Sequence, residues 1–127
     1  MVERLTTIHS FIEGMDLQAF VEDYKTQLAV TRLVEELCEA ALWFAKNDNG
    51  VEIAARNVDV NWRRFGDAGN IIRHQYARVD YVTLWRNLWG PDVGALEDAL
   101  EREVPFYKPL FRKAEQKETP DASSAAD

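Results

Sequence analysis

The chain has 127 residues, which suits one domain and is short for two. Its 22 acidic and 15 basic residues give a net charge of −7, which argues against a general nucleic-acid coat protein. One cysteine excludes an intramolecular disulfide framework, and with only two histidines it cannot form a dedicated structural zinc site. With no run of about 18 apolar residues and no signal-peptide core, a cytoplasmic protein without a membrane span is expected.

The spacing of apolar residues is helical almost throughout the chain. A first helix is predicted over about residues 3–13 and ends at Gly14, and Asp16 caps a further turn up to Val21. The longest predicted helix covers about residues 23–47, and the Asn-Asp-Asn-Gly sequence at 47–50 is a strong stop signal.

Three or four helices are predicted in the second half of the chain. A short one over 51–57 is followed by a helix from Trp62 to about Tyr76, with Asn61 as its N-cap. Asp80 caps a helix over 81–89, and Pro91 begins a last helix that ends before residue 105. No stretch of alternating apolar and polar residues is long enough to predict a strand, so the predicted fold is an all-α bundle. Residues 113–127 are predicted to be a disordered polar tail, which leaves one domain over residues 1–112.

Residues 62–89 form the one basic segment of this acidic chain. Five arginines and two aspartates give the segment a net charge of +3, and it holds three of the four tryptophans. At about 100° per residue, one stripe of its first helix carries Arg63, Asp67, Asn70 and His74. Arg73 flanks this stripe. The opposite face, predicted to be buried, carries Phe65, Ala68, Ile72 and Tyr76.

A histidine beside arginines is the minimal set for metal-free RNA cleavage. A neutral imidazole takes the proton of the 2′-hydroxyl, and an imidazolium protonates the leaving 5′-oxygen. An arginine stabilises the charge on the phosphate in the transition state. Because one histidine cannot easily be base and acid at once, a symmetric dimer that brings two copies of His74 into one cleft would complete the site.

The segment contains several short motifs at defined spacings: Trp62-Arg63, Asn70, His74-Gln75-Tyr76, Val79-Asp80 and Trp85. Glu39-Ala40 lies upstream of them. Together they resemble the signature of the HepT-like branch of the HEPN superfamily, over about residues 4–104. The resemblance implies a HEPN-type up-and-down bundle of about five to six helices that forms a homodimer. It also implies a metal-independent endoribonuclease toxin without a cofactor, acting on RNA at a composite site in the dimer interface.

The candidate site residues follow from the motif and from the basic segment. His74 is the predicted general base and acid, Arg73 stabilises the phosphate, and Asn70 orients or binds it. Arg63, Arg64 and Arg78 are predicted to contact RNA. The resemblance further implies a cognate minimal nucleotidyltransferase (MNT) as antitoxin, which in part of the family transfers AMP to the tyrosine that corresponds to Tyr76.

Two positions depart from the family pattern, and one of them is Asp67, which stands where a glycine is usual. Where the family has an arginine before the asparagine, this chain has Gly69, which would leave room for a long side chain or a phosphate. Arg73 points within about 40° of the same direction one turn later, and we hypothesise that it replaces the missing arginine. The alternative is a catalytically weak or inactive HEPN binding protein that is partnered and AMPylated by the nucleotidyltransferase.

Structural interpretations of the same residues remain open at this point. His74 could be a hydrogen-bonded structural histidine, Tyr76 a core or interface residue, and the arginines a solvated face. The glutamates at 35, 36 and 39 are predicted to be a solvated face, and Cys38 a small buried residue. The tryptophans favour packing over base stacking. A helical bundle unrelated to RNA is the third possibility.

Overall fold

A computed structural model of the chain describes residues 1–111. Its helices are α1 (Val2–Ile12), α2 (Leu17–Val21), α3 (Tyr24–Lys46), α4 (Asp48–Arg56), α5 (Trp62–Gln75), α6 (Tyr81–Leu88) and α7 (Pro91–Glu103), with a 3-10 turn over Tyr76–Arg78. Six of these helices have eight or more residues, and residues 1–111 contain no strand, which confirms the predicted all-α bundle. The tail predicted over 113–127, and with it the domain boundary at residue 112, lies outside the described residues.

Side-chain caps begin three helices at the residues that the sequence predicted. Asp16, Asn61 and Asp80 each accept a hydrogen bond from a backbone N–H in the first turn of α2, α5 and α6. Gly14 follows α1 with a φ of +82°, a left-handed conformation that favours glycine. The main helix boundaries are therefore encoded locally, by caps and by one turn glycine.

The turn after α3 differs from the prediction. The helix ends at Lys46, but α4 begins at Asp48, three residues earlier than expected, so that Gly50 lies inside α4 and is buried. A β-carbon at Gly50 would collide with the carbonyl oxygen of Phe44. Glycine therefore allows the chain to reverse within one residue between the two helices.

Helix α3 is the centre of the bundle and packs most extensively on α5, with α1, α2 and α4 also against it. The α3–α5 pair is antiparallel, because Cys38 faces Gly69 and Leu42 faces Gly66. The core between the helices is apolar and includes Leu5, Ile8, Phe20, Val30, Leu37, Phe65, Trp85 and Leu96. None of the helices within residues 1–111 is long and apolar enough to cross a membrane.

The tryptophans of the basic segment pack against other aromatic rings. Trp85 is 3% exposed, and its ring centroid lies 5.2 Å from that of Phe20 and 5.5 Å from that of Trp89. Trp62 is half-buried against Phe44, with ring centroids 5.8 Å apart. The packing role predicted for these rings agrees with the structure.

A buried glutamate, which sequence reasoning did not single out, anchors the segment after α7. Glu97 is fully buried, and its carboxylate accepts hydrogen bonds from the Tyr107 hydroxyl at 2.6 Å and from the backbone N–H groups of Leu110 and Phe111. Burial and the Glu97 carboxylate both raise the pKa of Tyr107 above its ordinary value. Three donors therefore satisfy a carboxylate that would be costly to bury alone.

Candidate active site on helix α5

The outer stripe of α5 is exposed, as predicted. Arg63, Asp67, Asn70 and His74 all lie at the surface. The Arg63 side chain is 92% exposed and lies 4.0 Å from the Asp67 carboxylate, a surface pair that contributes little to stability. The imidazole of His74 makes no hydrogen bond to any residue within 1–111. It is therefore available to a ligand that approaches from solvent.

Arg73 turns from this stripe toward α3. Its Nη2 donates to Oε1 of Glu39 at 2.7 Å, and its Nε lies 3.6 Å from the Glu35 carboxylate. The Glu35 carboxylate is also paired with Arg32 of α3, whose Nη1 lies 3.2 Å away, so the charge of Arg73 is offset chiefly by Glu39. This pairing makes Arg73 less attractive to a phosphate than an unpaired arginine would be. The predicted solvated face is confirmed for Glu39, whose side chain is 48% exposed, but not for Glu35, which is 14% exposed and is paired with both Arg32 and Arg73. The i,i+4 spacing of Glu35 and Glu39 places both carboxylates on one face of α3. The packing of α5 beside α3 brings Arg73 to that face.

Asn70 and Arg73 meet in a groove between α3 and α5, with a volume of about 530 Å³. The α5 side of this groove is formed by Trp62, Arg63, Gly66, Asp67, Gly69, Asn70 and Arg73. The α3 side is formed by Cys38, Glu39, Leu42, Ala45 and Lys46. His74 does not line the groove and lies beside it on the outer face of α5. The structure thus brings two of the three predicted catalytic residues into one groove, with the histidine next to it.

Position 69, where the resemblance implies an arginine, lies in the interface between α3 and α5. Gly69 is buried, and a β-carbon there would stand 2.8 Å from the Cys38 Cβ. The expectation that Gly69 leaves room for a side chain or a phosphate was therefore wrong, because Cys38 occupies that space. An arginine at this position would require α3 and α5 to move apart.

Arg64 and Arg78 lie on the other side of α5, away from the groove. They line an apolar hollow of about 360 Å³ whose lining also includes Leu37, Phe65, Ile72, Leu84 and Val93. Arg64 pairs with Asp92 of α7 at 3.1 Å, and Ile71, 57% exposed, stands among the lining residues. The predicted RNA contacts are thus divided between two sides of α5.

Tyr76 is exposed, which corrects the prediction that it belongs to the buried face of its helix. Helix α5 ends at Gln75, and Tyr76 begins the 3-10 turn with 74% of its surface exposed. The helical period no longer applies at this residue, so the angle counted from His74 misplaced its side chain. The buried face is formed by Phe65, Gly69 and Ile72 instead.

The single cysteine is unsuited to chemistry in the groove. Burial, and then the charges of Glu35 and Glu39, raise the pKa of Cys38 to about 12. The thiol therefore stays protonated near neutral pH and is a poor nucleophile. Within residues 1–111 no group of three or more histidine, cysteine, aspartate or glutamate side chains is placed to hold a metal ion.

Comparison with known proteins identifies relatives of this bundle. A family model described as Ribonuclease HepT-like matches residues 1–103, which include both helices of the groove. A protein of Methanocaldococcus jannaschii named "Putative RNase MJ1380" is 26% identical over 86 residues, which cover 68% of this chain and 74% of that protein. No solved structure matches the chain.

Proposed function

This chain belongs to the HepT-like ribonuclease family of the HEPN superfamily, and we propose that it is a metal-independent endoribonuclease toxin of a HEPN–MNT toxin–antitoxin module. The observation that carries this proposal is the position of His74. Its imidazole is exposed and free of partners within residues 1–111, and it stands beside a groove that holds Asn70 and Arg73. This is the combination of proton carrier and phosphate ligands that RNA cleavage needs.

In the proposed reaction, His74 first takes the proton of an RNA 2′-hydroxyl. The 2′-oxygen attacks the adjacent phosphorus, and the bond from phosphorus to the 5′-oxygen breaks. An imidazolium gives its proton to that 5′-oxygen, so a 2′,3′-cyclic phosphate and a 5′-hydroxyl end are formed. Asn70 donates its side-chain N–H to a non-bridging phosphate oxygen during this step.

Arg73 supplies positive charge to the phosphate in this proposal. Its bond to Glu39 holds the guanidinium beside Asn70 in the groove. A guanidinium has five N–H donors, so donors remain for a phosphate oxygen while the bond to Glu39 persists. Glu39 acts as a positioning residue here, and its negative charge weakens the attraction of the groove for RNA.

The proposed active unit is a homodimer in which both chains contribute His74. Ile71 is 57% exposed and stands three residues before His74, at the apolar hollow on the other side of α5. An exposed apolar side chain at an apolar hollow is typical of a surface that another protein covers. A two-fold contact through this side of α5 would bring the two imidazoles toward one cleft.

The proposed partner is a cognate MNT-type nucleotidyltransferase, and Tyr76 is the proposed site of AMP transfer. The side chain of Tyr76 is 74% exposed on the turn after α5, so it is accessible to another enzyme. Arg78 lies two residues later and is also exposed. A phosphate added to Tyr76 would place negative charge near the proposed RNA contacts and oppose RNA binding.

A second candidate function is a HEPN binding protein that cleaves RNA weakly or not at all. Two observations favour it: Gly69 stands at the position of the family arginine, and Arg73 is engaged by Glu39 and Glu35. Such a protein would still bind the nucleotidyltransferase and accept AMP.

Cleavage of single-stranded RNA with and without EDTA tests the proposal. We expect the native chain to cleave in EDTA, His74→Ala to lose at least about 100-fold in rate, and His9→Ala to retain activity. His9 is the matched control, because it is the other histidine of the chain. Its ring packs on Phe111, and it does not line the groove. Absence of cleavage by the native chain, together with binding to the nucleotidyltransferase, would instead support the second candidate.

A further inference from the structure

The groove between α3 and α5 continues past Asn70 toward the N-terminus of α5. Arg63 precedes Asn70 by seven residues, so the groove runs about 10 Å along the helix axis between them. At this end the lining side chains are Ala45 and Lys46 from α3 and Trp62 and Arg63 from α5. An RNA chain bound at Asn70 must therefore extend beyond the cleaved bond to reach Lys46 and Arg63.

The two ends of the groove differ in the charge that they offer to a ligand. At one end Glu39, 2.7 Å from Arg73, offsets the charge of that arginine. At the other end Lys46 has no ion pair within residues 1–111, and Arg63 has only the 4.0 Å pair with Asp67. The cationic groups most available to a phosphate thus lie at the end away from His74.

Trp62 gives this end of the groove an aromatic wall. Its Nε1 donates to the carbonyl oxygen of Ala54 at 3.2 Å, and its ring lies tilted against Phe44. These two contacts hold the indole in one orientation, while the residue stays half-exposed and lines the groove. A fixed aromatic ring beside cationic side chains is a typical element of single-strand binding.

We propose that Lys46, Arg63 and Trp62 form a second RNA subsite, which binds a backbone phosphate and its base away from the cleaved bond. The identity of the ligand as RNA rests on the proposed function. Single-stranded RNA is the ligand class, because a base stacked within a duplex offers no free face to Trp62. Lys46 and Arg63 neutralise the phosphate, and the indole packs against the neighbouring base.

Binding measurements on a chain that cannot cleave test this subsite. The full chain carrying His74→Ala is titrated with a labelled oligoribonucleotide of about 12 nucleotides and with a dinucleotide, at several salt concentrations. Adding Lys46→Ala should weaken oligonucleotide binding about 5-fold at low salt and reduce the slope of log K against log salt by about 0.7. The dinucleotide carries one phosphate and contacts one end of the groove at a time, so its binding to the His74→Ala chain should show a smaller salt slope than that of the oligonucleotide, which spans both ends.

Lys25→Ala is the matched control, since Lys25 is an exposed lysine of α3 that does not line the groove. Equal affinities and slopes for Lys46→Ala and Lys25→Ala, or no oligonucleotide binding at all by the His74→Ala chain, would overturn the subsite. Failure of the native chain to cleave, with the Lys46 effect present, would instead remove the ribonuclease proposal and leave the subsite standing. Trp62→Leu should add to the loss, provided that its unfolding midpoint stays near that of the native chain.

Discussion

Gly69 lies directly against Cys38, and this contact sets how closely α3 and α5 approach. A β-carbon at position 69 would stand 2.8 Å from the Cys38 Cβ, closer than side-chain carbons normally pack. Gly66 repeats the arrangement one turn earlier, where a β-carbon would lie 2.9 Å from Cδ1 of Leu42. The Leu42 methyl group can rotate away, whereas the Cβ of Cys38 is fixed to the backbone. Position 69 therefore serves helix packing, and the charge of the groove comes from its neighbours.

Gly69→Ala should destabilise the protein. The added methyl group overpacks the α3–α5 interface at a cost of about 1–3 kcal/mol. This cost outweighs the gain of about 1 kcal/mol from the better helix propensity of alanine. Gly94→Ala on α7 is the matched control, because a β-carbon there meets nothing within 4 Å, and it should stabilise. Denaturant unfolding measures both changes, and Gly69→Ala combined with Cys38→Gly should cost less than the sum of the two single changes, because the added methyl group fills space that the side chain of Cys38 leaves. A Gly69→Ala protein more stable than the native chain would contradict this account of the interface.

Arg73→Ala should lower the rate constant of RNA cleavage about 100-fold, which is typical for the loss of one group that stabilises the transition state. Arg73→Lys should recover only part of this activity, because an ammonium group cannot reproduce the forked donors of a guanidinium. Single-turnover cleavage measures the rate constant, and circular dichroism checks that the helices persist. Unchanged cleavage by Arg73→Ala would show that Arg73 does not replace the arginine missing at position 69.

Glu39→Gln should strengthen RNA binding by about 2- to 5-fold at low salt, because it removes one negative charge from the groove. The glutamine oxygen can still accept the bond from Arg73, so the rate constant at saturating RNA should change little. Glu39→Ala should gain the same affinity and lose rate, because Arg73 is no longer oriented. Steady-state kinetics separates the two variants, because Glu39→Gln should lower KM with little change in kcat, whereas Glu39→Ala should lower both. If both variants bound RNA more weakly than the native chain, the negative charge of Glu39 would not be what opposes RNA binding.

Ile71→Glu should prevent dimer formation if the apolar hollow on α5 is the dimer interface. A carboxylate placed against the corresponding apolar surface of a second chain would have to lose its hydration without a partner. Sedimentation velocity gives the mass, and Val58→Glu is a suitable control, because Val58 is 85% exposed and does not line the hollow. A dimer that survives Ile71→Glu would place the interface elsewhere.

Tyr76→Phe should abolish the transfer of AMP to this chain by the cognate nucleotidyltransferase. Phenylalanine keeps the ring but lacks the hydroxyl that would bond to the phosphate. Intact-mass measurement of the coexpressed proteins detects the added AMP, and Tyr24→Phe controls for another exposed tyrosine, 67% exposed on α3. AMP found on the Tyr76→Phe chain would assign the modification to a different residue.

Glu103→Gln should destabilise the protein near neutral pH and have little effect at about pH 2. Hydrogen bonds from Arg56 and then from Asn57 lower the pKa of Glu103 to about 2, from an ordinary value of 4.5. A carboxyl group with a lowered folded-state pKa stabilises the fold above its unfolded pKa, and this contribution is lost as pH falls from about 4.5 through about 2. Thermal unfolding across this range tests it. Glu101→Gln, at an exposed glutamate, is the control. If the difference in stability between Glu103→Gln and the native chain did not change with pH, the assigned pKa of Glu103 would be contradicted.

The sequence by itself determined the features of this protein that depend on near neighbours along the chain. Apolar spacing predicted the all-α fold, and Asp16, Asn61 and Asp80 marked helix starts, because a cap bonds to residues only two or three positions away. The same local period placed His74 on the exposed stripe of α5. The catalytic, RNA-contact and modification roles of the site residues stay predictions.

Only the tertiary structure decided which residues from distant parts of the chain meet. Arg73 finds its partner Glu39 thirty-four positions earlier, and Gly69 is buried because Cys38 of another helix lies against it. Neither contact follows from helical period, since the period gives the direction of a side chain and not the element packed there. Tyr76 was misplaced for a related reason: the helix ends one residue before it, and a 3-10 turn carries its ring into solvent.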